Sequence, residues 1–197
     1  MGRPSLAAER REQILEAFER CLVERGLEAT TLEAVAAEAG VQRAAIRHFV
    51  GNRDELIAAS VDHLTAKYGG GFARALPSLP RGAARIDALL DHLFLGGFLS
   101  DLPREGRVLD ALFAASAQEP EARRALRRMY GAFEKLLVGE LSAAYPRADA
   151  ARARGIAYAL VCLSEENAGL QELGFPRSRA RDARAAARLL VESLAAS

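Results

Sequence analysis

The chain has 197 residues, 50% hydrophobic and 27% charged, a globular balance that excludes a disordered or collagen-like polypeptide. Its net charge of +1 excludes a uniformly cationic coat, so any polyanion site has to be local. No apolar run reaches ~18 residues, the first residues lack a signal-peptide core, and two cysteines make no disulfide framework; a cytoplasmic protein without membrane contact is expected.

The helical period is visible from the start. Ile14, Phe18, Cys21 and Leu22 fall at i, i+4, i+7 and i+8, one face of a helix that Ser5 caps and Gly26 stops. Cys21 lies in that stripe and reads as a buried small hydrophobe rather than a reactive thiol. Thr30 with Glu33 fits a capping box opening a second helix, whose stripe is Leu32, Val35, Ala36 and Ala39. Gly40 interrupts, and Val41 restarts an apolar pattern through Ile46 and Val50. Helices joined by so short a turn must cross steeply. Asn52 with Glu55 gives another capping signature, and Leu56, Ile57, Val61 and Leu64 carry a fourth helix that Gly69-Gly70-Gly71 ends.

The remainder is also helical. After a loop at 77–82, Ile86, Leu89, Leu90, Leu93 and Phe94 form an amphipathic segment broken by Gly96-Gly97 and Pro103. Residues 108–117 read as a shorter helix. A long one follows at 120–145, with Leu126, Met129, Tyr130, Phe133, Leu136, Leu137 and Leu141 inward. A second long helix spans 149–174. The last runs from Ser178, with Arg181, Arg184 and Arg188 on one face and Ala186, Leu189, Leu190 and Leu194 on another. No stretch alternates at period two. The fold class is all-α, with nine helices, give or take one.

Charge singles out one segment. Between Gly40 and Asp54 there is no acidic residue, whereas Arg43, Arg47, His48 and Arg53 are present. The first 63 residues carry eight basic and eleven acidic side chains, net −3, so this cation cluster is local. A helix lying in a major groove needs that arrangement: no carboxylate toward phosphates, and Arg or Gln near its N-terminus.

Residues 30–56, TTLEAVAAEAGVQRAAIRHFVGNRDEL, resemble without a gap the DNA-binding segment of the TetR family of bacterial transcriptional regulators. With the first helix, the resemblance covers roughly the first third of the chain; the rest is similar only in outline. It implies a three-helix DNA-binding domain at 1–51 and a larger helical ligand-binding and dimerisation domain at 52–197. It further implies a homodimeric repressor on a palindromic double-stranded DNA operator, released by a small-molecule effector. By position on the recognition helix, Gln42, Arg43 and Ala44 are expected to read bases, and Thr31, Arg47, His48 and Arg53 to hold phosphates. The sequence departs from the family's habit at Ala45, Arg47, Phe49 and Val50, where a hydroxyl residue, Tyr, His and Phe are respectively common. Those departures bear on operator sequence.

Catalytic signatures are missing. His48, His63 and His92 sit in no metal-ligand spacing, no G-x-S-x-G is present, and the glycine run follows a helix rather than a strand. No catalytic residue, metal or cofactor is expected. Two other readings stay open: a small helical enzyme or carrier with a coincidental helix-turn-helix, and a ligand-blind DNA binder.

The expected effector cavity lies between the 107–117 helix and the two long helices. Its lining would be Phe94, Phe98, Phe113, Met129, Tyr130, Phe133 and Cys162, with Arg107, Asp110, Ser116 and Glu165 as polar company. An apolar or amphipathic compound follows, cationic if Glu165 faces inward. Equally, these side chains simply fill a core, with Glu165 and Glu166 in solvent or paired with Arg. The 149–174 and 178–195 helices, with small Ala/Leu faces, are expected to form the dimer.

Overall fold

The computed structural model describes residues 5–66, 76–79, 81–95 and 103–196. Ser5, in extended conformation, accepts from Ala8 N at 3.2 Å and starts α1 (Leu6–Ala29). Ile14, Phe18, Cys21 and Leu22 are fully buried, as the stripe predicts. Helical dihedrals break at Gly26, and Leu27–Ala29 add one more turn.

That extra turn moves the next cap by one residue. Thr30 closes α1: its hydroxyl donates to Gly26 O at 2.7 Å and is buried. Thr31 caps α2 (Leu32–Glu38) by accepting from Ala34 N at 3.1 Å. The expected Thr30–Glu33 box is therefore not formed, because position N3 is Ala34, which has no carboxylate to return.

Gly40, at φ 63, lets the chain leave α2 in a Schellman turn. Gly40 N donates to Ala37 O at 3.2 Å and Val41 N to Ala36 O at 3.0 Å. Helix α3 (Arg43–Phe49) follows at once, anchored by fully buried Ile46. The capping box of α4 (Arg53–Leu64) forms as predicted: Glu55 N donates to Asn52 Oδ1 at 3.0 Å and Asn52 N to Glu55 Oε2 at 2.7 Å. Gly51 is required here. Its φ is 127, and a Cβ would collide with the Glu55 carboxylate crossing above it.

The remaining helices are α5 (Ala83–Phe94), α6 (Pro103–Ala115), α7 (Pro120–Ala144), α8 (Ala150–Glu172) and α9 (Ser178–Glu192), making nine α-helices among the described residues. Short 3₁₀ turns lie at Leu76–Ser78 and Ser193–Ala196. Among the described residues no helix is long and apolar enough to cross a membrane.

Two compact units result. In the first, α1 packs on α2, α3, α4 and α6, and the unit takes in α7 as far as Met129. This grouping differs from a division after residue 51, which assigns α4 and α6 to the larger domain. The second unit holds α5, α7 from Tyr130, α8 and α9. Its core includes Leu89, Leu90, Leu137, Leu141, Leu160 and Val191. At its edge, Arg184 binds Asp87 at 3.1 Å and Asp91 at 2.6 Å, and Arg188 also reaches Asp87. Two of the three arginines sharing a face of α9 thus dock that helix onto α5.

Candidate nucleic-acid interface

Burying Ile46 turns the opposite face of α3 outward. Gln42, Arg43, Ala44, Arg47 and His48 are all exposed, Thr31 stands exposed at the start of α2, and Arg53 is partly exposed at the start of α4. Gln42 is the N-cap of α3 but makes no side-chain cap bond, which leaves its amide available. Among the described residues Arg47 makes no ion pair, and His48 packs edge-on against Phe49 at 4.7 Å between ring centroids. The Arg11 guanidinium donates to Phe49 O at 3.0 Å, tying the end of α3 to α1.

Two carboxylates missed by the sequence reading enter this surface from elsewhere in the unit. Glu33 of α2 meets Arg43 at 2.6 Å, with side chains 61% and 52% exposed. Glu119, between α6 and α7, meets Arg53 at 2.9 Å, and the same guanidinium donates to Leu27 O at 3.0 Å. The acid-free window from Gly40 to Asp54 is real along the chain but not in space. Only the crossing of α2 over α3 and the docking of α6 on α1 place these groups.

The residues expected around an effector stand as follows. Phe94 and Met129 are buried. Tyr130 donates its hydroxyl to Glu165 Oε2 at 3.0 Å, and half-buried Phe133 packs against the second core. The structure therefore brings Glu165 of α8 to the aromatic face of α7, while Glu166 is exposed. Arg107 and Asp110 are exposed, and Phe113 is 62% exposed. Cys162 is exposed as well, and its neighbour Tyr158 has a hydroxyl pKa raised first by a hydrogen bond to that thiol. Phe98 lies outside the described residues. Among the described residues no group of three His, Cys, Asp or Glu is disposed to hold a metal ion.

The family model for bacterial regulatory proteins of the tetR family matches residues 14–60. Over 121 residues the chain is 31% identical to the HTH-type transcriptional regulator BetI of Brucella anthropi, a match that spans 61% of either chain. A transcriptional regulator of Pseudomonas aeruginosa PAO1 has the same fold, with a TM-score of 0.78 at 24% identity over 96% of this chain and 91% of that one. So does a regulator from Saccharomonospora viridis solved in complex with choline, with a TM-score of 0.68 at 19% identity over 93% and 96%. Residues 14–60, which hold the helix-turn-helix, are thus similar to the TetR family of bacterial regulatory proteins, and the chain spans about three fifths of the length of the curated regulator it matches.

Proposed function

We propose that the protein is a one-component transcriptional regulator, a repressor that binds a palindromic operator as a homodimer and is released by a small-molecule effector. One observation carries the reading: the outward face of α3 presents Gln42, Arg43 and Arg47 above fully buried Ile46. The first turn of such a helix reaches base edges, and flanking cations hold phosphates. Base-reading roles for Gln42, Arg43 and Ala44, and phosphate contacts for Thr31, Arg47, His48 and Arg53, follow from that placement.

Exposed apolar side chains support the dimer. Tyr158 is 62% exposed and Leu163 36% on α8, and Leu189 is 69% and Leu190 37% on α9. Tyr158 and Leu189 point away from the buried faces of those helices and Leu163 and Leu190 flank them, so pairing with a second copy removes them from water.

For the effector, the Tyr130–Glu165 contact beside Phe133 favours an organic cation, since aromatic faces and a carboxylate together suit a quaternary ammonium. The choline complex of the Saccharomonospora viridis regulator supports the same class. Release requires the effector to favour the non-binding conformation; equal affinity for both shifts nothing.

Gel retardation on the intergenic DNA beside the protein's own gene tests the whole scheme. A retarded palindrome freed by an organic cation is expected. Retardation of every duplex alike overturns operator recognition, and retention in the presence of effector overturns release.

A further inference from the structure

The guanidinium of Arg53 is engaged twice within the protein. Its Nη2 donates to Leu27 O at 3.0 Å and meets Glu119 Oε1 at 2.9 Å. The first partner is backbone in the last turn of α1. The second is a side chain in the corner between α6 and α7, and that corner is tightly built. Arg123 donates from Nε to Ser116 O at 2.9 Å and from Nη2 to Ala117 O at 2.7 Å. Its backbone N–H in turn reaches Glu119 O at 3.2 Å. Glu119 is therefore delivered to Arg53 by a fixed loop.

A carboxylate and a phosphate are both oxyanions that fit the donors of a guanidinium. While Glu119 sits on Nη2, the pair offers no net charge to a DNA backbone, and an approaching phosphate meets a like charge beside its partner. The side chains of Arg53 and Glu119 are 31% and 28% exposed, so water screens the pair and exchange is easy. We propose that Glu119 and a DNA phosphate are alternative partners of Arg53, so that the α6–α7 corner withholds one backbone contact from DNA. This inference rests on reading α3 and the start of α4 as the DNA-facing surface. Linkage makes it reciprocal: whatever holds Glu119 on Arg53 weakens DNA binding, and DNA binding frees the corner by the same factor.

The test is fluorescence anisotropy of the full chain on a mixed-sequence duplex of about 30 base pairs, titrated at about 50 to 200 mM salt, where backbone contacts dominate. Glu119→Gln is expected to tighten binding about threefold to tenfold at the lowest salt and to steepen the log–log salt slope by about 0.9, one released counterion. Arg53→Gln should weaken binding and flatten the slope. In the Arg53→Gln background, Glu119→Gln should tighten binding by clearly less than in the wild type, because only its like charge, and no longer its hold on the guanidinium, is removed. Thermal midpoints of all four proteins report that the fold is intact, and Glu119→Ala should repeat the Gln result. If Glu119→Gln weakens binding or leaves it unchanged, or tightens it equally without Arg53, the competition is overturned. If none of the proteins, wild type included, binds the duplex, the DNA-binding reading itself falls and the inference with it.

Discussion

Glu33 on α2 reaches across the turn to Arg43 on α3 and holds its guanidinium at 2.6 Å. The arginine proposed to read a base is thus paired within the chain. Both side chains are more than half exposed, which makes the pair weak and easily exchanged for a guanine edge. Arg43→Ala should cost about 1–3 kcal/mol on the operator and relax discrimination at one base pair. A competition assay against operators permuted at each position checks this. Unchanged preference at every position would remove Arg43 from the base-reading set.

The seam proposed for α8 and α9 predicts that Leu189→Glu or Leu190→Glu yields monomers that lose operator affinity, since each places a charge in an apolar contact. A biological seam should bury more than about 1,000 Å² in total. Sedimentation at micromolar concentration measures the first effect. Thiol labelling measures the second independently. Cys162 should react slowly in the wild-type dimer and quickly in the monomeric variant. Cys21, fully buried with its thiol pKa pushed up by burial, should react in neither until the chain unfolds. Rapid labelling of Cys162 in the intact dimer would place the seam elsewhere.

Glu165 should decide which effectors bind. A panel of quaternary ammonium compounds that includes choline is expected to raise the thermal midpoint of the wild type, because a ligand bound only to the folded state stabilises it. Glu165→Gln should lose most of that shift for cations while keeping operator affinity in their absence. Tyr130→Phe, which removes the hydroxyl bonded to Glu165 at 3.0 Å, should weaken the response less. A shift that survives Glu165→Gln unaltered would exclude this carboxylate.

His92 on α5 has its pKa lowered from 6.5 by burial, so the native state resists protonation there. Below that ordinary value the unfolded chain binds a proton that the native chain does not, and stability falls as pH drops until the native group also titrates. Above it, this contribution is flat. Urea melts between about pH 7.5 and 5 should therefore show a decline that is smaller in His92→Gln. An identical decline in the variant would assign it to other groups.

What the chain determined by itself is local. A stripe such as Ile14–Phe18–Cys21–Leu22, the Asn52–Glu55 capping box and the glycine at position 40 depend on residues three or four apart, so sequence alone settles them. One local feature escaped: whether Thr30 or Thr31 caps α2 hinged on the dihedrals of Gly26, which let Thr30 turn back to the end of α1. The α3 surface was legible because its outward residues follow from a single buried anchor, Ile46. Only the tertiary structure decided what those residues face. Glu33 and Glu119 reach Arg43 and Arg53, and Asp87 receives Arg184, because helices distant in the chain pack together. The same holds for the grouping of α6 with α1–α4 and for the meeting of Tyr130 with Glu165. Helical periodicity says which side of a helix is apolar, but only the packing of one helix on another names the partner across it.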